Sequence, residues 1–314
     1  VSEQTSFLVT GGAGFLGSIM VPELLKRGHK VTVLDNFMFG QTSLSAVCAD
    51  PNFDLINGDV RDTDTLMKAA SKAEVIIPLA ALVGAPLCGK DPDAAKAINY
   101  QAIATMCAKL SKDQKVFYPT TNSGYGIGQP GIMCTEETPL NPISLYGRTK
   151  SDAEKAVLDF GNAVGFRLAT VFGLAPRMRI DLLVNDFVWR AVVDRAVVLF
   201  EAHFIRNYIH IRDVTRAFLH AYDNFDRMQG EIYNLGLSDA NLSKAQLCER
   251  IQTHIHDFYF VEAAIGKDPD QRNYLVSNEK IEKTGFKPAY SIDDGIVELI
   301  KGYKMLRKTN YGNV

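Results

Sequence analysis

Short β-rich runs at 7–9, 30–34, 53–56, 74–78, 115–118 and 166–171 alternate with longer stretches whose apolar residues recur at helical spacing. Alternation of this kind predicts parallel strands joined by helices that cover the sheet. The covering helices are predicted over 19–27, 93–110 and 145–164, and Ala153, Ala156, Val157, Phe160 and Val164 mark one face of the last. After Gly173 the pattern becomes less regular. Helices are predicted over 181–193, 214–224, 243–254 and 292–306, with strands near 197–200, 207–211 and 231–235. The fold class is therefore α/β, a doubly wound parallel sheet with a smaller, interleaved C-terminal lobe. Residues 1–172 form the sheet domain and 207–236 return to it, while 173–206 and 237–314 form the lobe.

Open sheets of this kind bind ligands beyond the carboxyl ends of their strands, so the residues just after each strand carry the candidate chemistry. Directly after the first strand comes Thr10-Gly-Gly-Ala-Gly-Phe-Leu-Gly17, which opens the first helix. Gly12, Gly14 and Gly17 satisfy the G-x-G-x-x-G spacing, which permits a tight turn, close backbone approach to a pyrophosphate and close packing of helix on strand. The helix N-terminus adds free N–H groups and a positive dipole end. The second strand ends in Asp35, eighteen residues beyond Gly17, where an acidic side chain accepts hydrogen bonds from the adenosine ribose. Asp35 repels a ribose phosphate, which favours NAD over NADP. The sheet domain reads as Rossmann-type.

Composition narrows the partners. With 314 residues, 46% of them hydrophobic, the chain can bury one large core plus a smaller lobe. The 34 Lys and Arg balance 36 Asp and Glu, so no global field recruits nucleic acid or an anionic membrane. Cys48, Cys88, Cys107, Cys134 and Cys248 are scattered, with no C-x-x-C pair and no His at ligand spacing, which argues against a disulfide framework or a metal site. No apolar run approaches a membrane span and the opening residues do not form a signal sequence, so the expected location is the cytoplasm.

Tyr146 and Lys150 stand at i and i+4, on one face of the helix predicted over 145–164. A free phenol has a pKa of about 10, and holding it ionised near neutrality takes roughly 4 kcal/mol from neighbouring positive charge. Lys150 and an oxidised nicotinamide together supply that charge. Such a phenolate can take a proton from a sugar hydroxyl while the carbon beneath gives hydride to the nicotinamide.

Taken with the glycine turn, Gly58-Asp59-Val60-Arg61-Asp62, Leu79-Ala80-Ala81, Asn99, the run 120–126 (Thr-Thr-Asn-Ser-Gly-Tyr-Gly), Arg206-Asn-Tyr-Ile-His210 and the stretch around Gly285, this pair resembles the extended short-chain dehydrogenase/reductase family, specifically its NAD-dependent nucleotide-sugar epimerases and dehydratases. The resemblance implies that Thr121 hydrogen-bonds the reacting sugar hydroxyl, Tyr146 is the base, and Lys150 binds the nicotinamide ribose while lowering the phenol's pKa. It implies a cofactor site of Gly11, Gly14, Phe15, Leu16, Gly17, Asp35, Asn36, Asp59, Val60, Leu79, Ala80, Ala81, Asn99 and Phe172, besides Tyr146 and Lys150. Asp59 and Val60 hold the adenine, and Phe172 packs beside the nicotinamide. For a nucleotide-diphosphate sugar, it implies contacts from Val83, Ser123, Asn185, Arg206 and Arg272, the arginines binding phosphate oxygens through their planar fork. His210 and Arg177 stay off this list, since a His at a strand end is more often structural.

The two residues after Thr121 discriminate among reactions. Dehydratases of this group place an acid and a Glu base in or near these positions, whereas this chain has Asn122 and Ser123. Relatives that epimerise at carbons 3 and 5 use a Cys near the second position, and a serine hydroxyl is far less acidic than a thiol. What remains is NAD-dependent oxidation at carbon 4, followed by hydride return as in a 4-epimerase. Release of the keto sugar by a dehydrogenase or dehydratase is the alternative, and a non-catalytic NAD(H)-binding redox sensor is the reading from another class. Pro78, Gly124 and the 82–88 loop depart from the usual epimerase pattern. Cys88 in that loop reads as a buried thiol. Relatives pair the helices at 93–110 and 145–164 into a four-helix bundle, which implies a homodimer.

Overall fold

In the computed structural model, which describes residues 4–266 and 271–306, the strands are β1 (Ser6–Thr10), β2 (Lys30–Asp35), β3 (Phe53–Asn57), β4 (Val75–Pro78), β5 (Lys115–Thr121), β6 (Met133–Cys134), β7 (Ala163–Leu168), β8 (Thr170–Phe172), β9 (Ala196–Leu199), β10 (Ile205–His210), β11 (Glu231–Leu235), β12 (Asn241–Ser243), β13 (Tyr259–Glu262) and β14 (Leu275–Val276). Seven of them form one parallel sheet in the order β11-β7-β5-β4-β1-β2-β3. The chain winds outward from β1 to β3, then restarts at β4 on the other side of β1, so the strand order reverses between β1 and β4.

Alternate residues of the strands feed two cores, as a sheet covered on both faces requires. Phe7, Val9, Val31, Val33, Val75, Ile77 and Phe117 pack on one face. Leu8, Leu34, Ile76, Val116 and Tyr118 pack on the other. The second face is covered by α2 (Thr63–Ala70), by α3 (Ala85–Lys90), and by a continuous run of α4 (Pro92–Lys96), a π turn (Ala97–Gln101) and α5 (Ala102–Lys109), with α6 (Leu145–Phe160) beside it. The opposite face takes α1 (Gly17–Lys26) and α8 (Ile211–Asp223), and its core runs on without a break into the lobe. There α7 (Leu183–Val193), α9 (Lys244–Gln252) and α10 (Ile292–Tyr303) pack around small sheets.

The run expected as one strand over 166–171 is two. β7 stays in the large sheet, and after Ala169 the chain passes to β8, which pairs with β10 in a three-stranded sheet completed by β12. The return expected over 207–236 is correspondingly divided: β10 belongs to the small sheet, and β11 alone rejoins the large one, beside β7. The helix expected over 145–164 ends at Gly161, which adopts φ +86°, and Val164 lies in β7 instead.

Candidate active site

A cavity of about 830 Å³ opens at the carboxyl ends of the large sheet, over the point where the strand order reverses. Its floor is built by the turn after β1 and the segment after β4, joined where Leu79 N–H donates to Thr10 O at 2.8 Å, while Gly11 N–H ties the turn to Leu34 O of β2 at 2.8 Å. Gly11, at φ +67°, lies so close to the segment after β4 that a Cβ there would stand 2.5 Å from Ala80 N. Gly11, Gly14, Phe15, Leu16, Leu79, Ala80 and Ala81 all line the cavity. Gly17 does not; a Cβ at Gly17 would stand 2.2 Å from Gly12 O, so its role is the close packing of α1 on the turn. No side chain caps the start of α1, and the amides of Ser18, Ile19 and Met20 are taken by the carbonyls of Gly14 and Leu16, so what the helix offers an anion is its positive dipole end.

At one end of the cavity β2 delivers Asp35. Its carboxylate accepts from Ala13 N–H at 3.0 Å, Phe37 N–H at 2.9 Å and Gln41 Nε2 at 3.2 Å. Burial raises its pKa and the two amides pull it back. Asn36 Nδ2 donates to Asp59 at 3.0 Å, and Arg61 pairs with the same carboxylate at 2.7 Å, holding Asp59 down at about 2. Asp35, Asn36, Asp59 and Val60 line this end as the sequence led one to expect. Two ring-bearing or apolar neighbours that it missed, Met38 and Phe39, line it too, on the loop that Phe37 turns with φ +51°.

Further along, β5 ends in Thr121, whose side chain caps the following turn. Thr121 Oγ1 accepts from Ser123 N–H at 3.1 Å and donates to Ser123 Oγ at 2.9 Å. Ser144 caps α6 through Gly147 N–H at 3.1 Å, which sets Tyr146 in the first turn and Lys150 one turn on. The Thr121 hydroxyl stands close enough to the Tyr146 phenol to act on its ionisation. Desolvation pushes this phenol up to about 12, with Cys88 adding to the rise, while Arg272, Arg179 and the neighbouring Thr121 hydroxyl pull it down. Lys150 is buried with its Nζ 4.1 Å from the centre of the Tyr118 ring, and burial lowers it to about 7 against the pull of Glu154 and Cys88. Thr121, Ser123, Tyr146 and Lys150 thus meet on one wall. Asn122 is buried behind it, so only one of the two positions after Thr121 reaches the cavity.

Three expected contacts are corrected. Asn99 sits in the π turn and clamps the 82–88 loop, donating to Leu82 O at 2.9 Å and accepting from Leu82 N–H at 2.8 Å. It therefore positions Val83, which does line the cavity, without lining it itself. Phe172 is fully buried in the lobe, edge-on to His210 with ring centres 5.3 Å apart. Asn185, also fully buried, accepts from Gly173 N–H at 3.0 Å and donates to Arg179 O at 2.8 Å. In both cases the residue follows or faces a strand of the lobe, whose core claims the side chain first.

The end of the cavity opposite Asp35 is basic. Arg206, on β10, donates to Ile205 O at 2.9 Å and to the carbonyl of Arg272, and Arg272 donates to Ser123 Oγ. Arg177, Arg179 and Lys244 line the cavity as well, and the sequence reading had named none of the three as a contact. Arg179 pairs with Asp181, and the Arg177 guanidinium lies 5.0 Å over the Phe39 ring. A signal existed in Arg177-Met-Arg179, two cations shortly after a strand end. His210 is structural: it caps α8 through Arg212 N–H, meets Glu298 at 2.8 Å and stacks on Tyr290. Cys88 is fully buried, its thiol donating to Leu82 O at 3.2 Å.

A glycine turn feeding an uncapped helix at the reversal point of a parallel sheet defines a Rossmann-type, dinucleotide-dependent enzyme. Residues 7–236 match the NAD dependent epimerase/dehydratase family, and the chain belongs to it. It is 26% identical to the UDP-glucose 4-epimerase of Corynebacterium glutamicum over 318 residues, covering 93% of each chain. Among solved structures it resembles UDP-glucuronic acid 4-epimerase from Bacillus cereus, in complex with UDP-glucuronic acid and NAD (TM-score 0.84, 22% identity, 96% and 99% covered). The fold is also that of dTDP-glucose 4,6-dehydratase from Bacillus anthracis in complex with NAD (TM-score 0.82, 22% identity, 98% of each chain).

Proposed function

We propose that the protein oxidises carbon 4 of a nucleotide-diphosphate sugar and then re-reduces it from the opposite face, as a 4-epimerase. The observation that carries this reading is that Thr121, Tyr146 and Lys150 line the cavity together, on a wall where, among the described residues, no carboxylate stands ready as a second base. The carboxylates that line the cavity among the described residues are engaged elsewhere: Asp35 and Asp59 at the far end, Asp181 with Arg179, and Asp186 with Arg190. A dehydratase needs such a base at carbon 5.

The floor of Gly11, Gly14, Phe15 and Leu16, with Asp35 for the adenosine ribose, fits NAD. Bound there, NAD supplies the hydride acceptor, the later hydride donor and a positive ring charge. Thr121 holds the sugar hydroxyl against Tyr146, and Tyr146 takes its proton. Lys150, Arg272 and Arg179 stabilise the phenolate so formed. On re-reduction Tyr146 returns the proton to the same oxygen, so no further acid is required. Arg206, together with Lys244, holds the diphosphate. We further propose a homodimer through α4, α5 and α6, and a cytoplasmic location; the latter fits five free thiols and the absence, among the described residues, of a helix long and apolar enough to cross a membrane.

Incubation with a panel of nucleotide sugars tests the reaction. An epimer of unchanged mass is expected, with turnover abolished in Tyr146→Phe. A product lighter by water would make the protein a dehydratase, loss of two hydrogens a dehydrogenase, and NAD binding with no turnover on any sugar nucleotide a sensor. Sedimentation velocity decides the subunit count.

A further inference from the structure

Lys150 is a cation enclosed between sheet and helix, and what surrounds it decides whether it stays one. The face of Tyr118, on β5, lies under the ammonium at 4.1 Å from the ring centre. Tyr118 is itself fully buried and its hydroxyl has no hydrogen-bond partner, so the ring face is what this side chain offers. One turn beyond Lys150 on α6 stands Glu154, on the same helix face. Its carboxylate is pinned by Arg167 of β7 through contacts of 2.7, 3.2 and 3.3 Å, and Arg167 is fixed in turn by Tyr125 Oη at 2.9 Å and Glu136 O at 3.1 Å. Glu154 and Arg167 are both buried, so this negative charge acts on Lys150 with little screening from water.

We propose that Tyr118 and Glu154 are positioning residues for the reaction, forming a seat of ring face and fixed carboxylate that keeps the Lys150 ammonium charged beside Tyr146. The remaining titratable neighbours do not provide that seat. Cys88, from α3, is pushed up to about 11 by burial and stays a neutral thiol near neutrality, as does Cys107 of α5 behind Tyr118, pushed up to about 12. Arg167 opposes the seat in sign and acts by locking Glu154. Tyr146 is the group the seat serves. A ring face attracts a buried cation, and that attraction matters for a lysine that burial has drawn down to about 7.

The inference rests on the proposed roles of Tyr146 and Lys150, and its test is read without any sugar substrate. In NAD-loaded protein the Lys150 ammonium is titrated against pH by NMR of its labelled side chain, assigned by its loss in Lys150→Met. Tyr118→Leu and Glu154→Gln are each expected to lower the midpoint by roughly one pH unit, because the ammonium loses the ring face or the carboxylate that favours it. Tyr118→Phe keeps the ring face and is expected to keep the wild-type midpoint. If Glu154→Gln fails to fold with Arg167 left unpaired, Glu154→Gln combined with Arg167→Met removes both charges and is expected to move the midpoint in the same direction. Midpoints unmoved in Tyr118→Leu and in the Glu154 variants would overturn the seat and reduce these residues to packing. Undiminished turnover in Tyr146→Phe would instead overturn the reading of the site itself.

Discussion

Replacing Lys150 by Met should stabilise the fold while removing the chemistry. Met is unbranched and of similar length, so it fills the space over Tyr118 without a charge. The folded-state value of Lys150 is lowered by burial from 10.5 to about 7, whereas the unfolded chain keeps the ordinary value. Between those two values the unfolded state binds more protons than the folded one, so wild-type stability rises with pH across that window and the full penalty is present below it. Integrated, the penalty below pH about 7 is of the order of 4–5 kcal/mol, comparable to the whole stability of a modest domain. Urea unfolding of both proteins, freed of dinucleotide so that ligand binding does not favour the wild type, measures it. Lys150→Met should be the more stable by a few kcal/mol near pH about 6.5, and the gap should close toward pH about 10.5. A gap that is constant with pH, or a variant less stable than wild type at the acid end, would refute the argument that a charged Lys150 is held at a cost to the fold.

Three further outcomes follow from particular contacts. Asn185→Leu strands the Gly173 amide and the Arg179 carbonyl inside the lobe, so it should cost about 2–4 kcal/mol in thermal or denaturant unfolding, and unchanged stability would return Asn185 to the list of ligand contacts. Gly11→Ala drives a Cβ to 2.5 Å from Ala80 N at a positive φ, so NAD affinity measured by fluorescence titration should fall at least about tenfold. Iodoacetamide near neutral pH should label the exposed Cys48 and spare Cys88, Cys107 and Cys248, whose thiols burial pushes up to about 11, 12 and 12; peptide mapping that finds Cys88 modified would place it on the cavity wall.

How much of this was legible in the chain depends on which forces set each feature. The large sheet was, because its strands are buried on both faces and their apolar runs owe little to any one partner. The split at Ala169 was not: one apolar run serves two sheets, and only the hydrogen bond from Ala169 N–H to Leu235 O marks where β7 gives way to β8. The two-residue pairing of β6 with β14 and the pairing of β9 with β13 had the same opacity, since such short strands exist only through partners far away in sequence. That Tyr146 and Lys150 share one face of α6 was readable from spacing, whereas the burial of Phe172 and Asn185 in the lobe was not, because motif position does not say which way a side chain turns. Asn99 was found for a different job from the one expected, since a π turn leaves no mark in periodicity.

Arg177 and Arg179 expose the limit of composition in another way. A net charge of −2 gives no long-range field that would recruit a polyanion. That sum nevertheless conceals an uneven cavity, with Asp35 and Asp59 at one end and Arg206, Lys244 and Arg272 toward the other, while Arg177 lies over Phe39 on the Asp35 side and Arg179 is paired with Asp181. The contrast is sharpened by burial: Arg206 is less than a tenth exposed, so water screens it little. An adenosine ribose suits the acidic end through its hydroxyls, and a diphosphate suits the basic end through its oxygens. The two ends therefore differ in the sign of what they offer a ligand, and the wall where Thr121, Tyr146 and Lys150 meet lies between them.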